Sequence, residues 1–183
     1  ATAGETANQS DDTTTAAGTG SASDETANKD NQKDSGDTTI ILTGDVLFAN
    51  AFKAAYDAGG IERVVSPELL EQLKAADILM VNNEFPFSPS YVRALNEMGV
   101  DIVSLANNHT LDYGRAALSD TFSALDGAGI LYGGAGDSVE RAKEVQIMEV
   151  NGKKYGFIAV SRVVPSADWK IESAAPGMFT GYD

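Results

Sequence analysis

The sequence contains no cysteine and only one histidine among its 183 residues. Without cysteine there is no disulfide framework, no thiolate nucleophile and no Cys-ligated zinc or iron–sulfur site. No apolar run approaches the ~20 residues that a membrane-spanning helix needs. These absences exclude several classes of protein, but they do not decide the cellular compartment.

Positive charge is also scarce, since 13 Lys and Arg face 27 Asp and Glu and the net charge is -14. Nucleic acids and anionic membrane surfaces are bound through Lys and Arg side chains that neutralise phosphates. We therefore expect no nucleic-acid partner.

Large apolar side chains are missing altogether from residues 1–37, which consist mainly of Thr, Ala, Ser, Gly, Asn, Gln and Asp. Such a segment cannot bury enough apolar surface to offset its ordering entropy, so we expect a disordered polar tether. A spacer of this kind is typical of an exported protein, with a lipid anchor or another membrane tether upstream of residue 1. An arbitrary sequence boundary would explain the same composition.

After the tether, strand-like and helix-like stretches alternate. The pattern predicts strands at 39–44, 77–82, 100–105, 130–132, 144–150 and 154–160. It predicts helices near 50–58, at 67–75, from Pro89 onward and at 115–126. With Asn151-Gly152 as a hairpin turn, this order predicts an α/β fold whose mostly parallel sheet carries an antiparallel hairpin extension.

Three strand-like runs lead directly into polar clusters. The clusters are Asp45, then Asn82-Asn83-Glu84, then Asn107-Asn108-His109 with Asp112. In an open α/β sheet the ligand site lies beyond the carboxyl ends of the strands, so these side chains should share one site. Carboxylate and amide oxygens suit Mg²⁺, Mn²⁺ or Ca²⁺, and imidazole help extends the choice to Zn²⁺ or Fe.

Each of these residues also has a structural interpretation. Asp45 could cap a helix, and a lone histidine such as His109 is more often a packed residue than a catalyst. Because His109 lies in a polar turn after a strand, we favour a role in proton transfer. Asp112 could orient the imidazole or cap the helix that begins near Gly114, and the cap is slightly favoured.

A glycine-rich loop, Gly133 to Gly136, raises the alternative of nucleotide binding. Its backbone N–H groups could cradle a phosphate, but it lacks the dinucleotide fingerprint and the P-loop lysine. We favour a tight strand-to-helix turn in which Asp137 and Glu140 form a capping box. No nucleophile elbow is present, so a serine hydrolase is disfavoured.

The runs LTGDVLF, ADILMVNNEFPFS and especially VDIVSLANNHTLDYG resemble the poly-γ-glutamate capsule synthesis (CapA-type) family. That family is similar in fold to calcineurin-like metallophosphatases, and the resemblance covers about Thr38 to Asp183. It implies the N-terminal part of a protein that acts on a cell-envelope polymer or its precursor. It also implies metallophosphatase-like hydrolysis or transfer in the whole protein and a location at the cell surface.

Carried over by position, Asp45, Glu84 and Asn108 resemble metal ligands and His109 resembles the adjacent proton-handling residue. Asn83 and Asp112 would be supporting residues. The resemblance implies a divalent cation (Mn, Fe, Zn or Mg), or none if the site is incomplete.

Two departures from the family pattern favour an incomplete domain over 38–183. The His-Trp-Gly and Ser-His-Pro-His type motifs of the family's second half are absent, and the connection from Glu84 to Pro89 is short. Low or no activity is therefore expected of this chain alone. The rival hypothesis is a non-catalytic surface scaffold or binding module that retains the fold.

Overall fold

The computed structural model describes residues 36–84 and 89–182. The strands are β1 (Ile40–Val46), β2 (Ile78–Asn83), β3 (Ile102–Ser104), β4 (Leu131–Gly133), β5 (Ala135–Gly136), β6 (Gln146–Val150), β7 (Lys153–Phe157) and β8 (Gly177–Met178). The helices are α1 (Asn50–Gly59), α2 (Pro67–Lys74), α3 (Pro89–Met98), α4 (Gly114–Ala128) and α5 (Val139–Ala142). Short 3-10 turns cover Ile61–Arg63 and Ala167–Trp169.

Local sequence signals set several of these boundaries. The Ser66 hydroxyl accepts the Leu69 N–H at 3.2 Å, and Pro67 begins α2, as the Ser-Pro pair predicts. Helix α4 runs through Gly127 to Ala128 and ends at Gly129, whose φ of 70° lies in the left-handed region. The helix thus extends slightly beyond the predicted 115–126.

The four-stranded sheet is parallel throughout, with the order β1-β2-β3-β4. Because each strand is added on the same side of its predecessor, right-handed crossovers place α2, α3 and α4 on one face. Their apolar residues and those of the strands form one buried core there. Its members include Leu73, Leu79, Val81, Leu95, Val103, Leu118, Phe122 and Leu125.

The opposite face of the sheet is covered as well. Ile78 and Ile102 alternate with the core residues of their strands, yet both are buried. The antiparallel β6–β7 hairpin lies next to the sheet. Asn151 Nδ2 of its turn lies 3.5 Å from Thr38 Oγ1, two residues before β1, and Gln146 at its base lies beside Gly133 of β4. The predicted α/β architecture with a hairpin extension is confirmed.

The predicted irregular segment from Val164 onward contains the short strand β8, which pairs with β5 in an antiparallel two-stranded sheet. The Arg115 guanidinium of α4 donates to the carbonyl oxygens of Asp168, Ala174 and Pro176. This side chain therefore ties the segment to the amino end of α4.

Some predictions fall on residues outside the described ranges. These are nearly all of the 1–37 tether and the short connection at residues 85–88. Within the described part of the chain, no helix combines the length and the apolar character needed to cross a membrane.

Candidate functional site

An irregularity in β1 decides which way Asp45 faces. Leu42 pairs with Met80, but Asp45 pairs with Asn82, so β1 contains one more residue than β2 between these two pairs. Such a bulge reverses the alternation of side chains along a strand. Asp45 consequently lies on the same face as Asn82, while Val46 turns back toward the helix-covered core.

Side-chain amides connect the first three strand ends. Asn82 Nδ2 donates to Asp45 Oδ1 at 2.8 Å, and Asn107 Nδ2 donates to Asn82 Oδ1 at 3.2 Å. Asn107 Nδ2 also lies 2.7 Å from the Asn83 carbonyl oxygen, and Asn107 Oδ1 accepts the His109 N–H at 3.0 Å. The polar ends of β1, β2 and β3 thus form one hydrogen-bonded group.

The turn after β3 is held by buried polar contacts of Thr110. Its hydroxyl oxygen accepts the Asn107 N–H at 3.1 Å and lies 2.5 Å from the Leu105 carbonyl oxygen. Buried polar groups need such partners because an unmatched one costs roughly 1–3 kcal/mol. Thr110 therefore fixes the backbone that presents His109.

His109 and Asp112 form a hydrogen-bonded pair at the solvent edge of this turn. His109 Nδ1 lies 2.7 Å from Asp112 Oδ2, and about a third of each side chain is exposed (35% and 33%). The residue that caps α4 is Tyr113, and its side chain makes no capping bond. The slight preference for Asp112 as a helix cap was wrong, because its carboxylate turns to the imidazole three residues earlier.

Glu84 carries the clearest electrostatic signature of the site. Its pKa is raised above the ordinary value of 4.5, first by burial and then by the negative charge of Asp45, with a smaller contribution from Asp112. The imidazole of His109 opposes this shift. Mutual influence of this kind requires proximity, so Glu84 belongs to the same site.

The structure brings together Asp45, Glu84, His109 and Asp112, as the strand-end argument predicts. Asn108 is half-buried between Asn107 and His109, and Asn83 is buried. The hydrogen bonds between the strand ends pass through Asn82 and Asn107, which the sequence places in the polar clusters without a separate role for either. Alternation along β2 places Asn82 away from the core, which is a signal that could have identified it.

The donor set suits a hard divalent cation better than a soft one. Within the described ranges, no three His, Asp or Glu side chains are grouped so that they could hold a metal ion by themselves. A cation held here would need further oxygen atoms, such as the amide oxygen of Asn108, and oxygen donors of this kind match Mg²⁺ or Mn²⁺. Burial and then the negative charge of Asp45 raise the pKa of Glu84, and a bound cation would favour the ionised form of this carboxyl.

The glycine-rich loop at the end of β4 is closely packed. A Cβ atom on Gly134, whose φ is 86°, would lie 2.5 Å from the Ala106 Cβ, and one on Gly136 would lie 2.6 Å from the Ala142 nitrogen. Backbone pairing uses the loop too, because the Phe179 N–H donates to the Gly134 carbonyl. This close packing supports the interpretation of the loop as a structural turn.

The cap of the helix that follows this loop was predicted incorrectly. Ser138 caps α5 by accepting the Arg141 N–H at 3.2 Å, in place of the predicted Asp137–Glu140 pair. A serine one residue later in the chain thus starts the helix.

Comparison with known proteins links this arrangement to one family. The model of a family described as bacterial capsule synthesis protein PGA_cap matches residues 39–179. The capsule biosynthesis protein CapA of Bacillus anthracis is 34% identical over 136 residues, which cover 62% of this chain and 32% of that protein.

Two further relatives show similar coverage. A probable polyglutamine synthesis accessory protein of Mycobacterium tuberculosis is 33% identical over 94 residues, covering 50% of this chain and 25% of that protein. An uncharacterized protein of Sinorhizobium fredii is 29% identical over 132 residues, covering 61% and 27% respectively. The chain therefore spans about a quarter to a third of the length of the curated relatives it matches.

Proposed function

Because the chain belongs to the bacterial capsule synthesis protein family PGA_cap, we propose that it helps to make or handle a cell-envelope polymer such as poly-γ-glutamate. The names of two relatives support this proposal, since they refer to capsule biosynthesis and to polyglutamine synthesis. The partner would be the polymer or its precursor. The place of action would be the cell surface, with the segment 1–37 as the tether.

The proposed chemistry is metal-assisted hydrolysis or transfer at a phosphoryl or amide centre. Asp45, Glu84 and Asn108 would hold the divalent cation through their oxygen atoms. When bound, the cation would supply a Lewis acid that polarises the reacting oxygen and lowers the pKa of bound water. The three donors suit one hard cation, and a pair of ions would need further ligands.

His109 is suited to proton transfer beside these donors. If its Nδ1–H donates to Asp112, the neutral imidazole has its lone pair on Nε2 and can accept a proton there. The Asp112 carboxylate also stabilises the imidazolium that results. Partial exposure of both side chains leaves the pair accessible from solvent.

One observation carries the proposal: Asp45, Glu84 and His109 meet at the carboxyl edge of the sheet although 64 positions separate the first from the last. Hydrogen-bonded amides link two of them, and charge interactions link Glu84 to both. Chemically distinct side chains gathered at such an edge are typical of a ligand site.

The test is a calorimetric titration of the full 183-residue chain with Mn²⁺. We expect saturable binding of one ion, and we expect Asp45→Ala or Glu84→Ala to weaken it at least about tenfold, because each removes a ligand carboxylate. The charge-matched control is Asp126→Asn near the opposite end of α4, which should bind as the wild type does. Equal binding by all four proteins would contradict the proposal.

Catalysis by this chain alone should be slow or undetectable with an aryl phosphate or a γ-glutamyl peptide. The reason is ligand count, since two catalytic ions each need several protein ligands and this site offers few. Tight binding of two ions with rapid turnover would refute this expectation.

A second candidate function is a non-catalytic scaffold or binding module. The observation that favours it is that Asp45 and both linking amides already bond to one another, as polar groups that only stabilise loops would. The thermal stability of a scaffold should show no specific dependence on divalent ions. Thermal denaturation with and without Mn²⁺ therefore separates the two functions.

A further inference from the structure

Two asparagines join the acidic and the imidazole-bearing parts of the site into one path. The path runs from Asp45 Oδ1 through the Asn82 side chain to the Asn107 side chain and ends at the backbone N–H of His109. Every step is a hydrogen bond between 2.8 and 3.2 Å. A second bond, from Asn107 Nδ2 to the Asn83 carbonyl, anchors the path to β2.

The chemistry of the two ends explains why both links are amides. An ionised carboxylate only accepts hydrogen bonds and a backbone N–H only donates, so each group between Asp45 and His109 must donate on one side and accept on the other. A primary amide does this because it carries a donor nitrogen and an acceptor oxygen on one planar group. An ionised carboxylate at either position would break the order, because it cannot donate.

Because Asn107 is buried, the hydrogen bonds of the path should persist when no ligand is bound. Asn107 is 6% exposed, and a buried amide that loses a partner incurs the cost of desolvation. The groups it joins lie on β1, on β2 and in the turn after β3, so their spacing is maintained before any cation or substrate arrives.

We infer that Asn107, acting through Asn82, is a positioning residue that holds Asp45 and His109 at the spacing used for cation binding and proton transfer. This inference rests on the proposed function, because that function defines what is positioned. A purely structural asparagine would stabilise its own turn, but a change in β1 or at Asn82 would then have no effect on His109.

The first experiment uses amide hydrogen exchange of the full chain in metal-free buffer, measured by NMR. Asn82→Ala removes the bonds to Asp45 and to Asn107 but leaves the bond from the His109 N–H to Asn107, yet it should speed exchange of the His109 amide about tenfold. Asn82→Gln keeps the amide and should restore slow exchange. The matched control is Thr121→Val, which removes a buried hydroxyl bonded to the Ala117 carbonyl in α4 and should leave the His109 amide unchanged.

The second experiment measures Mn²⁺ affinity of the same proteins and of Asn107→Ala. Neither asparagine is a proposed ligand, but loss of a residue that orients ligands typically weakens metal binding about 10- to 100-fold. Thr121→Val should bind as the wild type does. If Asn107→Ala does not fold, the half-buried Asn82 provides the deciding variant.

The outcomes separate this inference from the proposed function. If the wild type binds Mn²⁺ and both asparagine variants bind it equally well, the inference is wrong and the proposed function stands. If no protein binds Mn²⁺, the proposed function fails. Hydrogen exchange then decides whether a change at Asn82 affects the His109 amide through the path. An unchanged His109 amide in Asn82→Ala would overturn the inference by itself.

Discussion

The carboxyl edge of the parallel sheet has two halves of opposite character. Strands β1, β2 and β3 end in polar side chains that bond to one another across the strands. Strand β4 ends in glycines whose backbone packs against alanines and pairs with the segment near β8. Both halves come from the same parallel topology, but only the first presents functional groups.

The difference shows that the size of the side chains at the strand ends decides which part of the edge is closely packed and which part presents polar groups. Where Ala106 and Ala159 approach Gly134, there is no room for a side chain, and a phosphate would compete with protein atoms for the same space. Where Asn and Asp occupy the strand ends, amide and carboxylate groups satisfy one another without filling the edge. The following predictions test this contrast, from the largest expected effect to the smallest.

Gly134→Ala should be the most damaging change. The new Cβ would lie 2.5 Å from the Ala106 Cβ, and the residue would need a φ of 86°, so we expect a loss of about 3 kcal/mol in the free energy of unfolding. Gly127→Ala is the matched control, because no atom lies within 4 Å of the new Cβ in α4 and helix propensity should add about 0.5–1 kcal/mol. Urea denaturation of both variants measures the contrast, and equal stabilities would disprove it.

Thr110→Val tests the polar half of the edge. The change keeps the shape but removes the hydroxyl that accepts from Asn107 and bonds to Leu105, so it should cost about 1–2 kcal/mol in urea denaturation. Thr43→Val in β1 serves as the control, since that hydroxyl bonds only to the neighbouring Gly44 carbonyl at 3.3 Å. A loss at Thr43 as large as that at Thr110 would show that this turn has no special dependence on its hydroxyl.

His109→Ala should cost less than about 1 kcal/mol, because a pair of polar side chains that are each about one-third exposed contributes little to stability. Thermal denaturation in metal-free buffer at neutral pH measures this. Asp112→Asn should behave similarly, and the double variant should lose no more than the two single changes together. A loss comparable to that of Thr110→Val would mean that the imidazole is part of the core.

Glu84→Gln should produce a small gain in stability at neutral pH. A carboxyl group whose pKa is raised in the folded protein lowers the free energy of unfolding at any pH above that raised pKa. This loss of stability disappears as the pH falls through the raised pKa to the ordinary value of 4.5. The variant should therefore flatten this part of the pH profile, measured by urea denaturation in buffer containing EDTA. The charge-matched control Glu62→Gln should keep the wild-type slope, and a variant at Glu84 that also keeps it would contradict the assigned cause.

Much of the fold was predictable because local signals agreed with it. Alternating apolar stretches, the Ser66-Pro67 start of α2 and the Asn151-Gly152 turn each indicate an element that the structure contains. The gathering of Asp45, Glu84 and His109 followed from the rule that parallel strands end at one edge. The residues that cap helices were less predictable. Ser138, and not Asp137, caps α5, and the Asp112 carboxylate bonds to the His109 imidazole and does not cap α4.

The sequence by itself determined the alternation of strands and helices, the polar strand ends and the glycines after β4. Only the tertiary structure decided which of these polar groups meet. The extra residue in β1 turns Asp45 toward Asn82, and the packing of β3 beside β2 places Asn107 within reach of both asparagines. The physical reason is that strand register depends on packing between residues far apart in the chain, and a shift of one residue sends a side chain to the other face.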